Sequence, residues 1–114
     1  MKKLSISILL FALISCSTEK PNENVNNKKA IQEIKDSYGE SERFVEVMLT
    51  DADVLYISVR DNGVDQSQFA HTICNVLKSN NATTKWVKIV KANSSNDPNA
   101  DNSYGVLLGD CHCN

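Results

Sequence analysis

An amphipathic helix separates two apolar strands in the middle of this chain, and this arrangement restricts the fold more than any other feature. Residues 54–60 and 85–91 have the composition of β-strands, and residues 66–79 between them carry apolar side chains at helical spacing. Strands joined through a helix lie parallel in one sheet, with a right-handed crossover. The sheet is therefore expected to be partly parallel, with the helix on one of its faces.

Three further elements complete the predicted fold. Residues 43–49 alternate in polarity and reach strand 54–60 through a short polar turn, which predicts an antiparallel hairpin. Residues 104–109 predict a fourth strand, and residues 28–38 predict a short first helix. The order is α-β-β-α-β-β, and the predicted class is α+β: a small four-stranded mixed sheet with one or two helices packed on it. The first helix is expected beside the second or on the opposite face.

The second helix has a sharp predicted start. Asp65 is a suitable N-cap, and Gln68 three residues later would complete a capping box. Val64 before the cap and Phe69 after it would form a hydrophobic staple.

The N-terminus has the layout of a secretory signal peptide. A basic head at 1–3 precedes an apolar run of about 11 residues at 4–14. A membrane-spanning helix needs roughly 20 apolar residues. The run is therefore too short for a permanent span, and we expect it to be an export signal.

The end of this segment reads Leu13-Ile14-Ser15-Cys16, which resembles the lipobox of bacterial lipoproteins. The resemblance implies a diacylglyceryl group on the Cys16 thiol, cleavage just before Cys16, and acylation of the new amino terminus. Several acyl chains on one residue make membrane attachment effectively permanent. We therefore expect residues 1–15 to be a lipoprotein signal peptide and Cys16 to be the lipidation site.

Removing residues 1–15 from the 114 leaves 99, enough for one small domain. Residues 16–27 are polar and predict a lipidated, flexible tether, and residues 28–114 predict a single domain. The mature chain has 10 basic and 14 acidic residues, a formal charge of −4, which excludes an electrostatic footprint for nucleic acid. The expected location is the cell envelope, and Ser17, where an aspartate would retain some lipoproteins at the inner membrane, favours the outer membrane.

The order of elements from 28 to 91 is similar to that of the BON domain, a small module of exported bacterial proteins. The similarity is one of element order alone, and it implies no site residue.

Three cysteines remain once Cys16 is assigned to lipid, an odd number for an oxidising compartment. A structural disulfide from Cys74 to Cys111 or Cys113 would close a loop of roughly 38 residues and contribute about 3 to 4 kcal/mol. The alternative Cys111–Cys113 pair would be a strained, reducible bond suited to thiol exchange.

The same residues offer a metal site as an alternative. His71 and Cys74 are neighbours on the second helix, and Cys111 and Cys113 point the same way from an extended chain. Together they would provide a tetrahedral ligand set for zinc, or for copper, with His112 as a rival ligand. The paired spacing of known zinc motifs is missing. Beyond the lipid on Cys16, we therefore expect no cofactor.

No catalytic motif is visible, and with only two histidines no serine–histidine–acid set can be assembled. If the aliphatic face of the sheet meets the second helix, the other face offers a candidate contact surface: Phe44, Met48, Tyr56 and Trp86. Either the first helix covers this face with Ile31, Ile34 and Tyr38, or an envelope protein or a second copy does. The leading hypothesis is a non-enzymatic lipoprotein that acts by contact, and the rival is a thiol-redox or metal-binding lipoprotein.

Overall fold

The computed structural model describes residues 19–94 and 104–114. A three-residue 3-10 helix at Pro21–Glu23 precedes the main elements. The helices and strands are α1 (Val25–Tyr38), β1 (Phe44–Leu49), β2 (Val54–Val59), α2 (Ser67–Ser79), β3 (Trp86–Lys91) and β4 (Leu107–His112). The predicted α+β class is thereby confirmed. The predicted signal peptide at 1–15 and the lipidation site Cys16 lie outside the described residues.

The four strands form one mixed sheet in the order β1-β2-β3-β4. The outer pairs β1–β2 and β3–β4 are antiparallel, and the central pair β2–β3 is parallel, as the helical crossover requires. Strand β4 begins three residues later than predicted, with Leu107 opposite Val90. It also ends three residues later than predicted, at His112, so Cys111 lies inside the strand.

Both helices pack on the same face of the sheet. Residues of α1 and α2 share one core with the inward side chains of the strands: Ala30, Ile34, Leu49, Leu55, Ile57, Val59, Ala70, Ile73, Cys74, Leu77, Val87 and Ile89. Ile31 and Tyr38 pack against the edge of this core. Helix α1 therefore does not cover the opposite face with Ile31, Ile34 and Tyr38, and that alternative is wrong.

A β-bulge changes the face on which β1 begins. The register shifts between Phe44 and Glu46, so that Phe44 lies opposite Val59 and packs against the core, while Val45 is 42% exposed. The alternation in the sequence predicts that Phe44 lies with Met48 on the other face. That placement is wrong because one extra residue in the strand reverses the side on which its first side chain emerges.

The start of α2 is set by contact with β4 rather than by a capping box. The N-cap is Gln66, whose backbone N–H donates to the Leu108 carbonyl at 3.0 Å, and its side chain makes no cap hydrogen bond. A Cβ on Gly109 would lie 2.4 Å from the Ser67 nitrogen, so only glycine permits this approach. The Asp65 carboxylate instead accepts hydrogen bonds from the backbone and hydroxyl of Ser67. The predicted capping box is therefore wrong, since the residue that caps the helix is Gln66 and not Asp65.

Part of the predicted tether belongs to the domain. Asn27 is 1% exposed, and its amide nitrogen donates to the Pro21 carbonyl at 3.0 Å and to Thr83 Oγ1 at 2.8 Å. Its amide oxygen accepts from the Thr83 backbone at 2.8 Å. Asn24 caps α1 by accepting from the Asn27 backbone. The folded domain thus includes residues before 28, because these asparagines act as a cap and a bridge.

We predict that Asn27→Ala lowers the free energy of unfolding by about 2 kcal/mol, since three hydrogen bonds of a buried side chain are lost. Urea denaturation of the full chain measures this change. The control is Asn22→Ala, a neighbouring exposed residue, which should change stability by less than about 0.5 kcal/mol. Equal free energies of unfolding for the two variants would show that the hydrogen bonds from Asn27 to Thr83 do not stabilise the fold.

Candidate functional site: an open sheet face and a cysteine cluster

The face of the sheet opposite the two helices, called here the open face, bears no helix from the described part of the chain. Its residues follow from the strand register, in which Met48, Tyr56, Lys88 and Asp110 form one cross-strand row. A second row runs Val54, Trp86, His112. This face is therefore the surface on which a contact function would be placed.

The open face carries an aromatic and charged cluster around Trp86. The His112 ring stacks on the indole with centroids 4.5 Å apart, and the indole N–H donates to Asp110 Oδ2 at 3.1 Å. The Lys88 ammonium lies 4.1 Å from the centre of the Trp86 ring and 5.7 Å from that of Tyr56. Cation–π contacts of this kind hold the lysine over the rings. The result is a surface with apolar area, one anion and one cation side by side.

The segment before β4 covers one part of the open face. The Tyr104 ring packs on that of Tyr56 with centroids 4.4 Å apart, and Tyr104 remains 44% exposed. Gly105 has φ +148°, and a Cβ there would lie 2.9 Å from the Val90 Cβ. The backbone thus crosses directly over Val90 at a position that demands glycine. Tyr56 and Val90 are consequently buried, at 6% and 1% exposure.

The predicted contact residues therefore separate into three groups. Met48 is 39% exposed and Trp86 is half-buried on the open face, Tyr56 is buried beneath Tyr104, and Phe44 lies on the helical side. The prediction missed the contribution of β4, namely Asp110 and His112, since it ended the fourth strand too early. Their alternation with Cys111 was the signal that could have revealed them.

The C-terminal cysteines meet α2 on the helical side of the sheet. Cys74 and Cys113 form a disulfide with Cα atoms 5.1 Å apart, and both are 2% exposed. The sequence left open which of the C-terminal cysteines pairs with Cys74, and in the structure it is Cys113. It closes a separation of 39 residues between α2 and the residue after β4. Cys111 remains as a half-buried free thiol.

The free thiol has a histidine neighbour. Cys111 lies opposite Val87 in the sheet, and its sulfur is 3.6 Å from Nδ1 of His71, an exposed residue of α2. The Cys74 sulfur lies 3.6 Å from the Cys111 carbonyl oxygen, so the disulfide is adjacent. An imidazole at this distance is placed to take the thiol proton, which is how a cysteine becomes a nucleophile.

The disulfide uses two of the four predicted metal ligands. Cys74 and Cys113 are joined to each other, so neither offers a thiolate, and His112 stacks on the opposite face. Within residues 19–94 and 104–114, no three or more His, Cys, Asp or Glu side chains are grouped to hold a metal ion. Only His71 and Cys111 of the predicted set remain in contact as free side chains.

Comparison with known proteins gives no relative: no family model, no curated protein and no solved structure matches this chain. None of the helices in the described ranges has the length and apolar character needed to cross a membrane. The geometry above is therefore the basis for assigning a function.

Proposed function

We propose that this chain is an exported lipoprotein, held on a membrane of the cell envelope through Cys16, whose α+β domain acts by contact and not by catalysis. The lipobox-like sequence at 13–16 supports the anchor, and the outer membrane is the favoured site because Ser17 follows the cysteine. The formal charge of −4 after processing disfavours anionic lipid as a direct partner of the domain. Attachment therefore depends on the acyl chains.

The observation that supports the contact function is the open face. This sheet surface carries aromatic side chains, and no helix of the described chain covers it. Its charges indicate the partner. Lys88 and Asp110 are direct cross-strand neighbours. If a two-fold axis passes between them, Lys88 of one copy faces Asp110 of the other, and the reverse. This charge pair is thus complementary to its own copy, and we infer that the occupant of the open face is another molecule of the same chain.

The size of the face sets the expected strength of this contact. Four strands about 4.8 Å apart, with six residues of about 3.3 Å each, span roughly 20 Å by 20 Å. This is about 400 Å² per copy, half of the roughly 800 Å² of a standard stable interface. Association in solution should therefore be weak. Confinement of lipid-anchored copies to one surface would strengthen it by raising their effective concentration.

We predict that Lys88→Glu and Asp110→Lys each reduce dimer formation by about tenfold, because each places like charges across the two-fold axis. The double variant restores the pair and should recover most of the dimer. Sedimentation equilibrium of the lipidated full chain in density-matched detergent measures the monomer–dimer constant.

Lys28→Glu makes the same charge change on the exposed surface of α1 and serves as the control, which should dimerise normally. A wild-type chain that stays monomeric at all concentrations would contradict self-association. So would a double variant that is no more dimeric than the single ones.

The anchor has its own test. We predict that Cys16→Ser abolishes both lipid attachment and cleavage, because a hydroxyl replaces the thiol that the lipid-transferring enzyme alkylates. Mass spectrometry of the native N-terminus should find a diacylglyceryl cysteine at position 16 in the wild type and an uncut chain in the variant. A Cys16→Ser chain that is cut before residue 16 and remains with the membrane would refute the assignment.

A second function is favoured by the contact between Cys111 and His71. In thiol exchange, His71 would take the Cys111 proton and the sulfur would attack a disulfide. One S–S bond would form, the attacked bond would break, and the departing sulfur would leave as a thiolate that takes up a proton. The adjacent Cys74–Cys113 bond is an internal target, and a disulfide of another protein would be an external one.

We predict that His71→Gln slows alkylation of Cys111 by iodoacetamide about fivefold at neutral pH, since the thiolate loses its nearby base. Mass spectrometry of quenched samples gives the rate. His112→Gln removes the other histidine, on the opposite face, and should leave the rate unchanged. Equal rates in all three chains would remove the support for thiol exchange.

A further inference from the structure

A cleft of about 230 Å³ opens at the end of the helical layer, where α1 ends and β1 and α2 begin. Its apolar lining is Tyr38, Phe44, Val59 and Phe69. The rings of Tyr38 and Phe69 meet edge to face with centroids 5.2 Å apart. The β-bulge creates this lining, since it turns Phe44 toward the helices. At about 30 Å³ per water, the cleft holds about eight waters or one ring with short substituents.

A buried polar group borders this cleft. Gln66 is 4% exposed, and its amide nitrogen donates to the Val64 carbonyl at 3.1 Å. No described residue donates a hydrogen bond to its amide oxygen. A buried acceptor without a donor is costly, and native proteins rarely keep one. Gln66 therefore brings to the lining of the cleft an amide oxygen for which no described residue is the donor.

A free cation stands at the rim of the cleft. Arg43 lines it with an exposed side chain, and its guanidinium has no carboxylate partner within the described residues. The neighbouring Arg60 is different, since its guanidinium donates to the Glu42 carbonyl. Guanidinium groups bind carboxylates through two parallel hydrogen bonds. Arg43 is thus available for an anion while the rings contact an apolar body.

We propose that this cleft binds a small aromatic carboxylate that also carries a hydrogen-bond donor. The carboxylate pairs with Arg43, the ring packs among Tyr38, Phe44 and Phe69, and the donor meets the amide oxygen of Gln66. The combination of an apolar pocket with a few convergent polar groups is typical of small-molecule sites. The cleft lies on the helical side of the sheet, so this site is independent of the open face and of the thiol.

The probe is 4-hydroxyphenylacetate, which has all three features, and the protein is the lipidated full chain in phosphatidylcholine nanodiscs. For a ligand of 11 non-hydrogen atoms with ordinary ligand efficiency, the expected Kd is roughly 4 mM. Titration followed by amide chemical shifts should move the signals of Phe44, Gln66 and Phe69. Phenylacetate lacks the donor and should bind several-fold more weakly, and 4-hydroxyphenylethanol, which lacks the charge, more weakly still.

Arg43→Gln should weaken binding of 4-hydroxyphenylacetate about tenfold and leave binding of 4-hydroxyphenylethanol unchanged, because only the acid uses the guanidinium. Arg60→Gln makes the same charge change beside the cleft and should have no effect on either. The proposal is overturned if no shifts occur up to about ten times the expected Kd. It is also overturned if the shifts lie elsewhere, or if Arg43→Gln weakens the acid and the alcohol equally.

Discussion

Burial of a single face of the sheet is the constraint on which the rest of this structure depends. Leu55 and Ile57 of β2 pair with Val87 and Ile89 of β3, and all four side chains are fully buried beneath the two helices. Each such side chain contributes roughly 1.5 to 3 kcal/mol when removed from water. Because the parallel pair is joined through α2, that helix must lie on this face, and α1 completes the same layer. The opposite face carries no helix of the described chain, and the segment at Tyr104 and Gly105 covers only part of it.

The elements that the sequence predicted well are those specified by nearby residues. Alternation gave the hairpin, and the helical spacing between two strands gave the crossover, because both patterns repeat within about ten residues. The predictions are wrong where a contact between residues far apart in the sequence determines the local structure. Asn27 reads as part of a polar tether until Thr83, 56 residues away, supplies its partners. Phe44 changes face through a β-bulge that the amino-acid composition of the strand does not predict. Strand β4 begins later than predicted because the backbone at Gly105 first crosses over Val90.

The candidate sites follow the same division. Helical spacing predicted correctly that His71 and Cys74 are neighbours on α2, but it could not show that they face different surroundings. Cys74 points into the core and joins Cys113, while exposed His71 meets Cys111. The position of β4 determines which C-terminal cysteine reaches the buried side of α2 and bonds to Cys74. For this reason the sequence alone left the disulfide, thiol and metal alternatives open.

The two ends of the sheet differ, and the difference bears on how an anchored domain would work. The first described residues of the chain lead into α1 beside Asn27 and Thr83, near the start of β2 and β3. Cys113 lies at this same end, because its backbone N–H donates to the Lys85 carbonyl, so the disulfide reinforces the end at which Asn27 packs. The cleft at Val59 lies at the other end of β2, about 20 Å away along six residues. If Cys16 carries the proposed anchor, the chain from it would enter the domain at the end opposite the cleft and Arg43.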